Sequence, residues 1–187
     1  MGQRHRHGHR FRGKPRDLRA PDRVERLEVG RVVGLSLEGL DITTALDVGT
    51  GSGIFAEAFA GIGLQVTGVD ANPEMLLVAA EHVPGGELRK ARAEKLPFMD
   101  GSFDLVFLGH VLHETDQPVQ ALKEARRVAK RRVVVLEWPC REEEHGPPLA
   151  HRLSHAAVES LAAEAGYGAV ETLQLTHMDL YRLGVGP

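Results

Sequence analysis

The chain has 187 residues, 42% hydrophobic and 26% charged, a balance that suits one domain with a substantial core and excludes a low-complexity or fibrous protein. It contains no apolar run of about 18 residues, so no membrane-spanning helix is expected, and its Arg- and His-rich start lacks the apolar stretch of a secretory signal. Its one cysteine, Cys140, excludes an internal disulfide and speaks against a cysteine-rich metal site; the cytoplasm is the expected location.

The net charge of −3 is unevenly spread. Residues 1–20 hold Arg4, Arg6, Arg10, Arg12, Lys14, Arg16 and Arg19 against Asp17, a balance of +6 that leaves −9 for the remainder. These residues show no apolar periodicity and read as a flexible His/Arg-rich arm, with residues 21–187 forming the folded domain. His5, His7 and His9 in the arm offer weak metal or phosphate contacts. Folded over a site as a lid, the arm would favour an anionic acceptor.

Val24, Leu27, Val32 and Leu35 recur at helical spacing, broken by glycines, and predict one or two short helices between Arg23 and Leu40. A regular alternation starts at Thr44. Strands are expected over 44–48, 64–69, 87–91, 103–108 and 132–137, with helices over 54–60, from Asn72-Pro73-Glu74 onward, from Asp116 and Pro118 through Ala129, and from a Ser154 cap to Ala165. Residues 171–176 and 178–183 read as a closing hairpin. Strands alternating with helices imply right-handed βαβ units and a mostly parallel sheet, with ligands beyond the carboxyl ends of the strands.

The sharpest motif is Asp47-Val48-Gly49-Thr50-Gly51-Ser52-Gly53. Glycines at alternate positions after a strand let the backbone turn tightly and let a ligand approach. A dinucleotide loop needs G-x-G-x-x-G; here the third glycine, Gly53, comes one residue early, and Ile54 stands where that motif wants glycine. A phosphate-binding P-loop lacks its Gly-Lys-Ser/Thr. The second strand ends at Asp70-Ala71-Asn72, where an acid can accept hydrogen bonds from both hydroxyls of a ribose.

The strings LDVGTGSG (46–53), VTGVDAN (66–72), ARAEKLPF (91–98), FDLVFLGHVLHE (103–114), EARRVAKRRVVVLEW (124–138) and GPPLAHRL (146–153) resemble class I S-adenosylmethionine-dependent methyltransferases of the ubiquinone/menaquinone-biosynthesis type. The resemblance implies a Rossmann-like three-layer αβα sandwich, with a seven-stranded sheet in the order 3-2-1-4-5-7-6 and an antiparallel last strand. It implies S-adenosylmethionine as cofactor and S-adenosylhomocysteine as product. Asp47, Gly49, Thr50, Gly51, Ser52 and Gly53 would cradle the cofactor, Asp70 and Ala71 would take the ribose, and Met75 would cover the adenine. Arg92 stands where the family usually has an adenine-binding Asp; arginine has no acceptor, so the Ala93 N–H and Glu94 carboxylate become the candidates. Leu108 and Gly109 would offer carbonyls to the cofactor's ammonium.

Methyl transfer from a sulfonium is an in-line displacement that needs positioning rather than a metal. His113 and His110, just after the fourth strand, are the catalytic candidates, since imidazole suits a base at neutral pH. His151, Arg152 and Trp138 are candidate substrate contacts. No metal is inferred from the i,i+4 pair His151 and His155. The reading is a methyltransferase acting on a small-molecule acceptor, monomeric or homodimeric. An RNA or protein methyltransferase tethered by the basic arm is the alternative, disfavoured by the acidic body; a non-catalytic S-adenosylmethionine-binding protein is another.

Overall fold

A computed structural model describes residues 13–83 and 85–186; Arg4 to Arg12 and the three arm histidines lie outside these. Strands β1 (Thr44–Val48), β2 (Gln65–Asp70), β3 (Glu87–Lys90), β4 (Phe103–Gly109), β5 (Ala129–Glu137), β6 (Val170–Gln174) and β7 (Asp179–Gly184) form one sheet in the order β3-β2-β1-β4-β5-β7-β6. All neighbours are parallel except β7, antiparallel to both β5 and β6. The helices are α1 (Pro21–Arg26), α2 (Val29–Leu37), α3 (Ile54–Gly61), α4 (Pro73–His82), α5 (Pro118–Val128) and α6 (His155–Glu164).

Strand alternation sorts the core onto two faces. Leu46, Val48, Val106, Leu108, Val133 and Val135 pack with α5 and α6 through Leu122, Ala125, Val158 and Ala162. Ala45, Leu105, Phe107, Val134 and Leu136 pack on the other face with Val32 and Val33 of α2 and Phe55 and Phe59 of α3. Central β4 is buried along nearly its whole length, as a strand covered on both faces must be. Asp104 pins its start: Oδ2 accepts from the backbone and hydroxyl groups of both Thr43 and Thr44 at 2.8–3.0 Å.

Local signals set the helix starts. Asn72 Oδ1 accepts from Glu74 N–H at 3.0 Å, with Pro73 in the first helical position of α4. Ser154 Oγ accepts from Ala157 N–H at 3.1 Å and opens α6. Two expectations shift. Helix α5 is preceded by Gln117 rather than Asp116 and ends at Val128; Ala129 already has extended φ/ψ, because buried β5 begins there and outruns helix propensity. Residues 13–20 of the expected arm are packed on the domain: Pro15–Arg19 make a 3₁₀ turn that buries Leu18, and Arg19 donates to the Ser52 carbonyl at 2.9 Å and to the Glu57 carboxylate.

Candidate functional site

Strand order reverses between β1 and β4, so their carboxyl ends diverge and leave a crevice. A cavity of about 910 Å³ opens there, within the roughly 300–1,000 Å³ usual for small-molecule sites. Its floor is the loop after β1. Gly49, Gly51 and Gly53 have φ of +69°, +53° and +81°, the left-handed region where a Cβ is strained. A Cβ on Gly49 would sit 2.5 Å from Val111 Cγ2, and one on Gly51 would lie 3.3 Å from Leu18 Cδ1. Gly49, Thr50, Gly51 and Ser52 line the cavity. Gly53 does not: it faces Ala79 and Val83, where a Cβ would meet both at 3.1 Å. The missing Cβ lets the loop pack closely on α4.

Asp70 bridges the loops after β1 and β2. Its Oδ2 accepts from Gly51 N–H at 2.9 Å and its Oδ1 from Asn72 N–H at 2.8 Å, which fixes the carboxylate at the cavity edge beside Ala71. Asp47 is buried against the loop, with Oδ2 accepting from Thr50 Oγ1 at 2.7 Å. Burial, helped by the Asp70 charge, pushes its carboxyl up to about 7, against hydrogen bonds from Thr50 and Ala56. Met75 and Ala93 line the same end. Glu94 also lines it, accepting from the Arg92 guanidinium at 3.1–3.2 Å and from Thr115 Oγ1. Burial opposes its charge, but these bonds hold the carboxyl below its usual range. Arg92 thus orients the acid two positions on.

The opposite end is built from the loops after β4 and β5. His113 Nδ1 donates to Glu137 Oε2 at 2.6 Å, while Glu137 Oε1 accepts from the N–H groups of Leu112 and His113 at 2.9 and 3.3 Å. The two side chains are 4% and 1% exposed, so the carboxylate is a buried clamp that leaves Nε2, 3.9 Å from Glu114 Oε1, as the acceptor of a neutral imidazole. Burial lowers the basicity of His113, but Glu137 outweighs it and raises the pKa. His110 behaves oppositely. Its Nε2 donates to Met178 Sδ at 3.2 Å and its ring stacks on Trp138 at 5.2 Å and 20°. Burial, with the charges of Arg23 and His113, takes its pKa well below 6.5. His110, paired with His113 as a base by sequence reasoning, is thus a neutral wall residue held at a φ of +59°.

Trp138 and His151 line the cavity as expected. Leu108 packs its side chain in the α5/α6 core, and Gly109 is the first residue of that strand end to line the cavity. Arg152 is absent from the lining. It donates to the carbonyls of Pro147, Pro139, Arg141 and His145 at 2.7–3.2 Å and lies 5.7 Å from the Trp138 ring. It clips the loop after β5 together rather than reaching substrate. Sequence reasoning missed Glu137, Arg23, Leu18 and Phe55, all at the cavity or its dyad. Glu137 carried a signal, one acid ending an otherwise apolar strand; the others carried none.

An adenosyl group fits these residues. The loop glycines leave room that a Cβ would fill, Asp70 presents a fixed carboxylate, and Ser52 Oγ is buried on the cavity without a hydrogen-bond partner among the described residues. Comparisons with known proteins agree. Residues 46–136 match the methyltransferase domain family. A demethylmenaquinone methyltransferase of Chlorobaculum parvum is 37% identical over 110 residues, 58% of this chain and 46% of that protein; the chain spans less than half the length of such curated relatives. A crystal structure of an S-adenosylmethionine-dependent methyltransferase from Aquifex aeolicus superposes with a TM-score of 0.82 at 26% identity, covering 92% of this chain and 97% of that one. The PH0226 protein of Pyrococcus horikoshii shares the fold, with a TM-score of 0.74 at 22% identity over 90% of this chain and 93% of its own.

Fold, loop and likeness are those of the class I S-adenosylmethionine-dependent methyltransferases. Within that class the chain is similar to demethylmenaquinone methyltransferases, and its glycine loop, Asp70 carboxylate and Ser52 hydroxyl suit S-adenosylmethionine as cofactor.

Proposed function

We propose that the chain transfers a methyl group from S-adenosylmethionine to a small-molecule acceptor that arrives protonated at its nucleophilic atom. The observation that carries this is the His113–Glu137 pair, with His113 on the same cavity that Asp70 lines. Bound there, S-adenosylmethionine supplies an activated methyl group. Gly49–Ser52, Asp70, Ala71, Met75, Ala93 and Gly109 bind and orient it. Glu94, set by Arg92 and Thr115, stands in for the family's adenine-binding acid. The His110–Trp138 stack offers a flat wall for a planar acceptor, and His151 borders it. His113 Nε2 takes the acceptor's proton while Glu137 holds the ring and stabilises the resulting imidazolium.

The names of the curated relatives support a small planar acceptor such as a ring hydroxyl or an acidic ring carbon. No helix among the described residues is long and apolar enough to cross a membrane. A cytoplasmic, monomeric or homodimeric enzyme is part of the same proposal. The test is calorimetry with S-adenosylhomocysteine, followed by tritiated-methyl incorporation from the cofactor into a metabolite extract. Firm binding and a labelled small molecule are expected. Label confined to RNA or protein would overturn the acceptor class, and indifference to the nucleoside would overturn the whole reading.

A further inference from the structure

We propose that Arg23 is the carboxylate receptor of this cavity, binding either the amino-acid end of the cofactor or an acidic group on the acceptor. The inference rests on the methyl-transfer reading above and deepens it. Arg23 lies on α1 and lines the cavity with His110 and Glu114. It acts electrostatically on both of them, which sets its guanidinium at the end where the methyl is transferred, away from Met75 and Ala93.

Arg23 is the cation the fold leaves unsatisfied there. Arg19, Arg92, Arg127, Arg152 and Arg182 all donate to carboxylates or carbonyls. Arg23 makes no ion pair among the described residues, and its Nε is buried without a hydrogen-bond partner among them. The adjacent acid, Asp22, is taken by Arg26 at 2.9 Å. Burial, with the like charge of Arg26, disfavours the charged form, and Glu114 and Asp22 offset this only in part. A half-buried guanidinium stays charged, and its Nε, shut off from water, is costly until a partner reaches it. A planar carboxylate fills that fork with two parallel N–H···O bonds.

Two probes separate the sources. S-adenosylhomocysteine carries the amino-acid carboxylate; methylthioadenosine keeps the nucleoside and lacks it. Benzoate, titrated into full-length protein saturated with S-adenosylhomocysteine, presents a carboxylate on a flat ring. Calorimetry on wild type, Arg23→Gln and Arg23→Lys reads all three. If the cofactor is the source, Arg23→Gln weakens S-adenosylhomocysteine by about tenfold or more, the effect of losing a charged hydrogen bond, with methylthioadenosine unchanged and Arg23→Lys between the two. If the acceptor is the source, nucleoside binding is unchanged and benzoate binding, present in wild type, disappears in Arg23→Gln. Equal behaviour of Arg23→Gln and wild type on all probes overturns the inference, as does an equal loss for both nucleosides, the mark of a structural role. Wild type that takes neither nucleoside overturns the methyl-transfer reading, and the inference with it.

Discussion

Nδ1 of His113 lies 2.6 Å from Oε2 of Glu137, although the two residues are 24 positions apart and on different strand ends. The carboxylate fixes the tautomer of the ring, turns Nε2 to the cavity and raises its affinity for a proton. The His113 titration, read by NMR, is expected to have its midpoint above 6.5 in wild type and to fall in Glu137→Gln. A base must be neutral to accept a proton, so with His113 in that role turnover rises with pH through that midpoint, and the rising limb moves to lower pH in Glu137→Gln while the plateau drops. His113→Gln should lower kcat by about 10²–10⁴-fold, the usual contribution of a positioned base. A pH profile unmoved by Glu137→Gln would remove the dyad from the mechanism.

Asp70 anchors the other end of the site through Gly51 and Asn72. Asp70→Ala should weaken S-adenosylhomocysteine binding by about 1–3 kcal/mol, the cost of stranding buried polar partners. Calorimetry reads the loss, and an unchanged dissociation constant would refute the ribose role.

Two glycines with opposite surroundings test the loop geometry. At Gly49, φ is +69° and a Cβ would strike Val111 at 2.5 Å, so Gly49→Ala should destabilise by about 1–3 kcal/mol and displace the cofactor floor. At Gly34, inside α2, a Cβ meets nothing within 4 Å and φ is not positive, so Gly34→Ala should stabilise by about 0.4–1 kcal/mol. Urea denaturation of both variants measures the pair of signs.

The fold was legible because its signals are short-range. Apolar runs at 44–48, 103–108 and 132–137, the Asn72-Pro73 start and the Ser154 cap each act within a few residues, and the observed strand order follows from the family they resemble. The glycine loop and Asp70 were legible for the same reason. Other features depend on contacts between distant segments. Glu137 meets His113 only when β4 and β5 lie side by side, and Arg23 meets the cavity only when α1 packs beside it. Arg152 misled because a cation on a loop above a pocket resembles a substrate contact, whereas four nearby backbone carbonyls claim it. Leu18 lay in a segment whose charge density masked one apolar residue packed against the loop.

Burial gives Asp47 a pH signature of known sign. Its carboxyl is raised from 3.8 to about 7 in the folded state. Below 3.8 both states hold the proton and the group is neutral in effect. As pH rises from 3.8 toward 7 the unfolded chain ionises while the folded one resists, so stability falls, and it levels off above about 7. Asp47→Asn removes this slope. Denaturation midpoints of wild type and variant should therefore diverge across that window in favour of the variant; parallel curves would show that the buried carboxyl is ionised throughout.

Arg152 supplies the last and least local prediction. Its guanidinium joins four carbonyls from residues 139–147 and lies near the ring of Trp138, which in turn stacks on His110. Loss of the fork leaves one buried and three part-buried carbonyls without their donor, so Arg152→Ala should destabilise by about 1–3 kcal/mol, the cost of leaving polar groups unsatisfied. Arg152→Lys should recover little of this, because a point charge cannot span the four acceptors. The consequence at the site is indirect: with the loop loosened, the Trp138 wall loses its backing, and acceptor KM should rise while S-adenosylhomocysteine affinity, set by the β1 and β2 loops, holds. A substrate-contact role predicts the reverse balance, a KM change with stability intact, so melting temperature and KM measured on the same two variants decide between clip and contact.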